Sequence, residues 1–236
     1  MPNLSDITGS SVFVGMVREH VVDPLRGGAE GGNRKVIFYG PPGTGKTFVA
    51  KAIAGELGLG FKTVGPHDAA KDLINTARYA SQQSLVFFDE LEWINYRPLY
   101  REALVKMPKD VLTVGATNYP WRVMDLLQEG FPSWVFMSEP DLEARRGIFE
   151  HNLGIAAEKL DLVKLAVMTD GYTASDIHYL CEWVGVSGQL SQEKIEAAAA
   201  NYRTTQIGEW VLEAKANVER LDKTTFAPLL EWLNKR

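Results

Sequence analysis

Through roughly the first 140 residues of this 236-residue chain, short unbroken apolar runs alternate with stretches of helical spacing, and after them only helical spacing remains. The runs are Lys35–Tyr39, Phe61–Val64, Leu85–Phe88, Val111–Val114 and a fifth at Trp134–Met137. Runs that are apolar throughout, instead of at every second position, belong to strands buried on both faces, which is how a parallel sheet under two helical layers reads. Before the first run, Val14, Val17, Val21 and Val22 follow a helical period, then Pro24 and Gly27–Gly32 predict a loop. Phe48, Ala52, Ile53 and Leu57 predict a helix ending at Gly58. Past Pro140, Ile177, Leu180, Cys181 and Val184, then Ile207, Trp210, Val211 and Ala214, repeat at i, i+3, i+4, i+7. The pattern predicts an α/β domain over 1–140 and a small all-helical domain over 141–236, with Trp183, Trp210 and Trp232 packed on apolar helix faces.

Composition narrows the function classes. A net charge of -5 supplies no broad basic field, so no nucleic-acid partner is expected. The single cysteine, Cys181, has no internal disulfide partner and lies in an apolar helical pattern, which predicts a buried thiol in a reducing compartment. No run reaches the length of a membrane span and no leader-like segment opens the chain, so a soluble cytoplasmic protein is expected.

The strongest chemical signal follows the first run. Gly40-Pro41-Pro42-Gly43-Thr44-Gly45-Lys46-Thr47 matches G-x-x-x-x-G-K-[ST] at every fixed position, between a predicted strand and a predicted helix. Glycines let backbone N–H groups converge on phosphates, and the helix adds its positive end. Lys46 is expected to reach the β- and γ-phosphates of ATP, and the Thr47 hydroxyl to ligate Mg2+. Leu85–Phe88 delivers Asp89 and Glu90 to the C-terminal edge of the sheet, where open α/β sheets bind ligands. Asp89 there suits the metal and Glu90 suits activation of a water, although acids at the start of a helix beginning at Leu91 also read as dipole partners. Asn118 closes another run, placed to hold that water against the γ-phosphate; taken alone, Asn118-Tyr119-Pro120 is an ordinary turn.

In this order the pieces resemble an ATPase of the AAA (AAA+) family over nearly the whole chain. Gly40–Thr47 resembles its Walker A motif, Leu85–Glu90 its Walker B motif, and Ala116-Thr117-Asn118 its sensor 1. Leu4-Ser5-Asp6-Ile7-Thr8-Gly9 is similar to the family segment whose backbone meets adenine, Pro140 to Arg146 to the lid entry, and Gly171 to Ile177 to the lid segment that closes over the nucleotide. The resemblance implies Asp6, Ile7, Gly9, Pro42, Gly43, Thr44, Gly45, Lys46, Thr47, Phe48, Ala174 and Ser175 as nucleotide contacts, Thr47 and Asp89 as metal ligands, and Lys46, Glu90 and Asn118 as catalytic. It also implies assembly into a ring and a protein partner. With Met1 so close to Asp6, a single ATPase module without an N-terminal domain is expected.

Two departures qualify this. The stretch Gln128 to Trp134 lacks the arginines that members of the family insert into a neighbour's ATP site, leaving Arg97, Arg101 and Arg122 as substitutes that also read as surface charges. Lys46 and Asp89 are 43 positions apart, and Val64 to Ala70 lacks the family's aromatic pore-loop signature. His151 falls beside the family's lid histidine, whose counterpart by count is Asn152. The main expectation is a Mg-dependent ATPase that remodels a protein partner; the alternative is an ATP-binding scaffold or hetero-oligomer subunit with little turnover of its own. A small-molecule kinase lacks an identifiable acceptor pocket.

Overall fold

The computed structural model describes residues 1–7, 11–26, 34–81, 83–186, 190–205 and 207–236. Gly9 and the glycine-rich loop expected at Gly27–Gly32 therefore lie outside the described residues. The apolar runs form β1 (Lys35–Tyr39), β2 (Gly60–Val64), β3 (Ser84–Phe88), β4 (Leu112–Thr117) and β5 (Ser133–Phe136), one sheet in the order β2-β3-β4-β1-β5. Every described pairing is parallel. α1 (Ser11–Val17), α2 (Asp23–Arg26) and α3 (Lys46–Glu56) precede β2, and α4 (Ala70–Tyr79) and α5 (Pro98–Val105) flank β3. One core cluster joins α1 and α3 to one face of the sheet through Val17, Val49, Ile53, Phe38 and Phe87; the other joins α5 through Ile37, Phe88, Tyr100 and Leu104. Alternate residues of β1 and β3 thus feed opposite cores, which is why these strands carry no polar position in their middles.

Asp141 caps α6 (Leu142–Leu153), its carboxylate accepting from the Ala144 N–H at 2.8 Å. α7 (Leu162–Met168), α8 (Ala174–Val186) and α9 (Gln192–Asn201) complete a separate core of Phe149, Leu165, Ile177, Leu180, Cys181 and Ile195. The Cys181 thiol is buried there, and burial raises its pKa to about 12. α10 (Ile207–Asn217) and α11 (Ala227–Asn234) close the chain. Their apolar faces pack on the sheet side, where Trp210, Phe226 and Leu229 cluster with Tyr39, Trp121 and Trp134. Aromatic bulk is the reason: Tyr39 lies 5.1 Å from the Phe226 ring, and Trp210 lies 5.8 Å from Trp121 and 5.9 Å from Trp232. Trp183 corrects an expectation. Its side of α8 faces away from the lid core and is 61% exposed, because Ile177, Leu180, Cys181 and Val184 already fill the buried stripe.

Candidate functional site

Three adjacent strands, β3, β4 and β1, end at one edge of the sheet, and the residue expected to act leaves each of them there. After β1 the chain turns at Gly40 (φ 145°), where a Cβ would stand 2.0 Å from the Met137 carbonyl oxygen. Only glycine fits that approach. At Gly43 (φ 77°) a Cβ would meet the Thr173 hydroxyl at 2.6 Å, since the lid rests directly on this loop: the Ser175 N–H donates to the Gly43 carbonyl at 3.0 Å. Lys46, buried at the start of α3, bends back and donates to the carbonyls of Gly40 (3.0 Å) and Pro41 (2.8 Å). Burial lowers its pKa to about 7, against the opposing pull of Glu92 and Asp89. An ammonium so desolvated gains strongly from a polyphosphate placed beside it.

On the opposite side, Asp89 follows β3, and its pKa is raised by burial, offset in part by the Glu90 N–H, which donates to Asp89 Oδ1 at 2.9 Å, and by Lys46. The buried Tyr100 hydroxyl donates to the Asp89 carbonyl and so fixes the turn from behind. Glu90 itself is exposed and adopts φ 52°, ψ 50°, the only non-glycine at positive φ among the described residues. Left-handed backbone costs a side-chain-bearing residue about 1 kcal/mol. Asn118, after β4, lies between these two arms; its amide donates to Glu92 Oε1 at 3.3 Å, while the Thr117 hydroxyl donates to Glu92 Oε2 at 2.9 Å.

A cleft of about 1250 Å³ collects Asp6, Ile7, Pro42, Gly43, Thr44, Gly45, Lys46, Thr47, Phe48, Asp89, Glu90, Asn118, Ala174 and Ser175. Every described residue expected at the site thus lines one cavity. Asp6 is also tied locally, accepting from the Asn3 N–H at 2.8 Å. His151 and Asn152 both border the cleft: His151 meets the Phe48 ring edge-on at 5.5 Å, and Asn152 Oδ1 lies 2.6 Å from His178 Nδ1. Residues that sequence reasoning passed over are Glu92, the acceptor for the Thr117 and Asn118 side chains; Thr173, seated on Gly43; and Glu139, a cleft acid paired with Arg236. Thr173 and Asp176 carry a T-x-x-D capping signal that could have been found, whereas nothing local marks Glu92 or Glu139.

Residues 36–137, the sheet and its loops, match the family described as "ATPase family associated with various cellular activities (AAA)". That segment is an AAA module. Among its relatives, a Dictyostelium discoideum "Vacuolar protein sorting-associated protein 4" is 31% identical over 180 residues, covering 62% of this chain and 40% of that protein. A Sulfolobus acidocaldarius "Cell division protein C" is 27% identical over 236 residues, covering 84% and 63%. A solved katanin structure, from work on the structural basis of katanin self-assembly, superposes with a TM-score of 0.76 at 25% identity over 92% of this chain and 91% of that one, so its likeness extends beyond the sheet to the helices that follow. The chain spans less than two thirds of the length of the curated relatives it matches first.

The donor set of the AAA module fits a hard divalent cation, since the Thr47 hydroxyl and Asp89 carboxylate offer oxygen alone. Gly43 and Gly45, at positive φ in the cleft wall beside Lys46, fit a polyphosphate. Among the described residues no helix is long and apolar enough to cross a membrane. The arginines considered as substitutes are engaged within the chain: Arg101 pairs with Asp125 at 2.6 Å and with Glu129, Arg122 pairs with Glu213 at 2.6 Å, and Arg97 contacts His67 Nδ1 at 3.2 Å.

Proposed function

We propose that this AAA module binds Mg-ATP in the cleft, hydrolyses it, and uses the nucleotide-dependent seating of its lid to act on a protein partner in the cytoplasm. The observation that carries this reading is the convergence of Lys46, Asp89, Glu90 and Asn118 on one cavity whose far wall is lid, joined to the P-loop through Ser175 and Gly43. Thr47 and Asp89 would hold the Mg2+, which would shield phosphate charge there. Lys46 exchanges the Gly40 and Pro41 carbonyls for β- and γ-phosphate oxygens, and with them keeps its proton. Glu90, exposed at the cleft rim, polarises a water for in-line attack on the γ-phosphorus; the bond to the β,γ-bridging oxygen breaks, and ADP and phosphate leave. Asn118 holds that water against the γ-phosphate. Asp6, Ile7, Ala174 and Ser175 enclose the base, with Gly9 in the same segment, and Phe48 borders the cleft beside them. The division into an α/β body and a helical lid supplies the moving part, and ring assembly follows the resemblance to katanin.

A second reading, an ATP-holding subunit that turns over slowly alone, is favoured by one observation: Arg101 and Arg122 are committed to ion pairs inside the chain, and Gln128 to Trp134 carries no arginine to offer a neighbour. Phosphate release from Mg-ATP, followed over a wide range of protein concentration, separates the two. Turnover that rises steeply with concentration and is lost in Glu90→Gln supports the self-sufficient enzyme. Tight binding with no turnover above that of Glu90→Gln at any concentration supports the subunit.

A further inference from the structure

The cluster of α10 and α11 on the sheet does more than cover apolar surface. The Trp210 indole N–H donates to the backbone carbonyl of Asn118 at 2.5 Å, and one turn later Glu213 accepts from the Trp121 indole N–H at 3.3 Å and from Arg122 at 2.6 Å. α10 therefore grips the loop that carries Asn118 at three points, and Trp210, 4% exposed, does so inside an aromatic layer that keeps water away from the bond. The same helix is anchored to the lid. The buried carboxylate of Asp176 accepts from the Thr173 N–H and hydroxyl (both 2.8 Å) with Oδ2, and from the Thr205 N–H (3.0 Å) and hydroxyl (2.9 Å) with Oδ1. The Thr205 carbonyl in turn accepts from the Ile207 N–H at 2.9 Å, where α10 begins. Thr173 and Ser175 are the lid residues seated on Gly43 of the P-loop.

We infer that Trp210 is a positioning residue for Asn118, and that α10, held by the lid through Asp176 and Thr205, sets where the Asn118 amide meets the γ-phosphate. The inference rests on the reading of Asn118 given above. Pinned by Trp210 at its carbonyl and by Glu92 at its amide, Asn118 has little freedom of its own, so its placement follows α10. Lid seating at Gly43 and γ-phosphate contact at Asn118 are then two ends of one hydrogen-bonded line, with no need for a nucleotide-mediated link.

The test compares Trp210→Phe, which keeps an aromatic ring in the layer and removes the N–H, with Asn118→Ala, Thr205→Val and the double variant Trp210→Phe/Asn118→Ala. Two quantities are read on the full chain: turnover of Mg-ATP, and the affinity for ATPγS relative to ADP, which needs no turnover. Trp210→Phe is expected to lower turnover by about tenfold or more, to lower the ATPγS-to-ADP preference, and to leave ADP affinity within about twofold. Adding it to Asn118→Ala is expected to change nothing further. A Trp210→Phe protein that behaves as wild type while Asn118→Ala loses the preference overturns the positioning role and leaves the proposed ATPase intact. If Asn118→Ala itself moves neither quantity, the reading of Asn118 falls and the inference with it. Should Trp210→Phe fail to fold, Thr205→Val decides: a shift in the same direction supports the lid-to-sensor line, and an unchanged preference refutes it.

Discussion

Gly40, at the head of the loop whose Pro42–Thr47 floor the cleft, and Glu90, on its rim, both have backbone at positive φ, 145° and 52°. At the floor the chain meets this demand with glycine, as it does at Gly43 and Gly45. At the rim it meets it with a glutamate, although a glycine would adopt the same backbone without strain. At the floor a Cβ would meet the Met137 carbonyl at Gly40 and the Thr173 hydroxyl at Gly43, so a missing side chain is what lets the loop pack this closely. At the rim the chain accepts left-handed strain and presents a carboxylate in the opening. Strain retained where a relaxed residue was available points to chemistry and not to packing.

Adding a methyl at the floor should have the largest effect. Gly40→Ala brings Cβ onto the Met137 carbonyl and is expected to destabilise the chain by about 3 kcal/mol in urea unfolding, with nucleotide binding lost; a stable Gly40→Ala protein that binds normally would break the comparison. Between floor and rim lies Lys46, whose pKa burial lowers to about 7 from its ordinary 10.5. A lysine depressed in this way is less protonated folded than unfolded, so the unliganded chain gains stability as pH rises from about 7 to 10.5. Polyphosphate restores the ammonium, so binding at pH 8 should take up as much as about one proton, and affinity should fall as pH rises above 7. Calorimetry in two buffers of different ionisation enthalpy measures the uptake, and identical heats in both would remove the link between Lys46 and phosphate. The smallest expected change has the opposite sign to Gly40→Ala. Glu90→Gly relieves the left-handed strain but loosens the unfolded chain, for a net gain between zero and about 1 kcal/mol, while turnover disappears. A clear loss of stability in Glu90→Gly would show that the glutamate contributes packing at the rim.

Much of this was legible from local pattern. The strand runs, the P-loop between β1 and α3, and the acids after β3 are contiguous stretches whose meaning depends on neighbours within a few positions. Partners distant in sequence were not legible. Helical period identified the buried face of α10, but it carries no information on what that face covers, and so Trp210 and Phe226 proved to belong with Tyr39 and Trp121 instead of the lid core. Trp183 was misplaced for a related reason: an aromatic residue beside an apolar stripe reads like part of it, and only the filled lid core leaves it exposed. Glu92 and Glu139 look like any surface acid until the folded chain brings Thr117, Asn118 and Arg236 to them.

By itself the sequence determined the kinds of element, the glycine cradle around Lys46 and the chemistry of the residues that end each strand, because backbone sterics, apolar period and side-chain type act over short distances. Only the tertiary structure decided the order β2-β3-β4-β1-β5, which sets Asn118 between Lys46 and the Asp89-Glu90 pair, and the docking of α10 that holds it there. Strand order and helix docking are decided by long-range packing of two cores and an aromatic layer, and no short window of sequence contains both sides of those contacts.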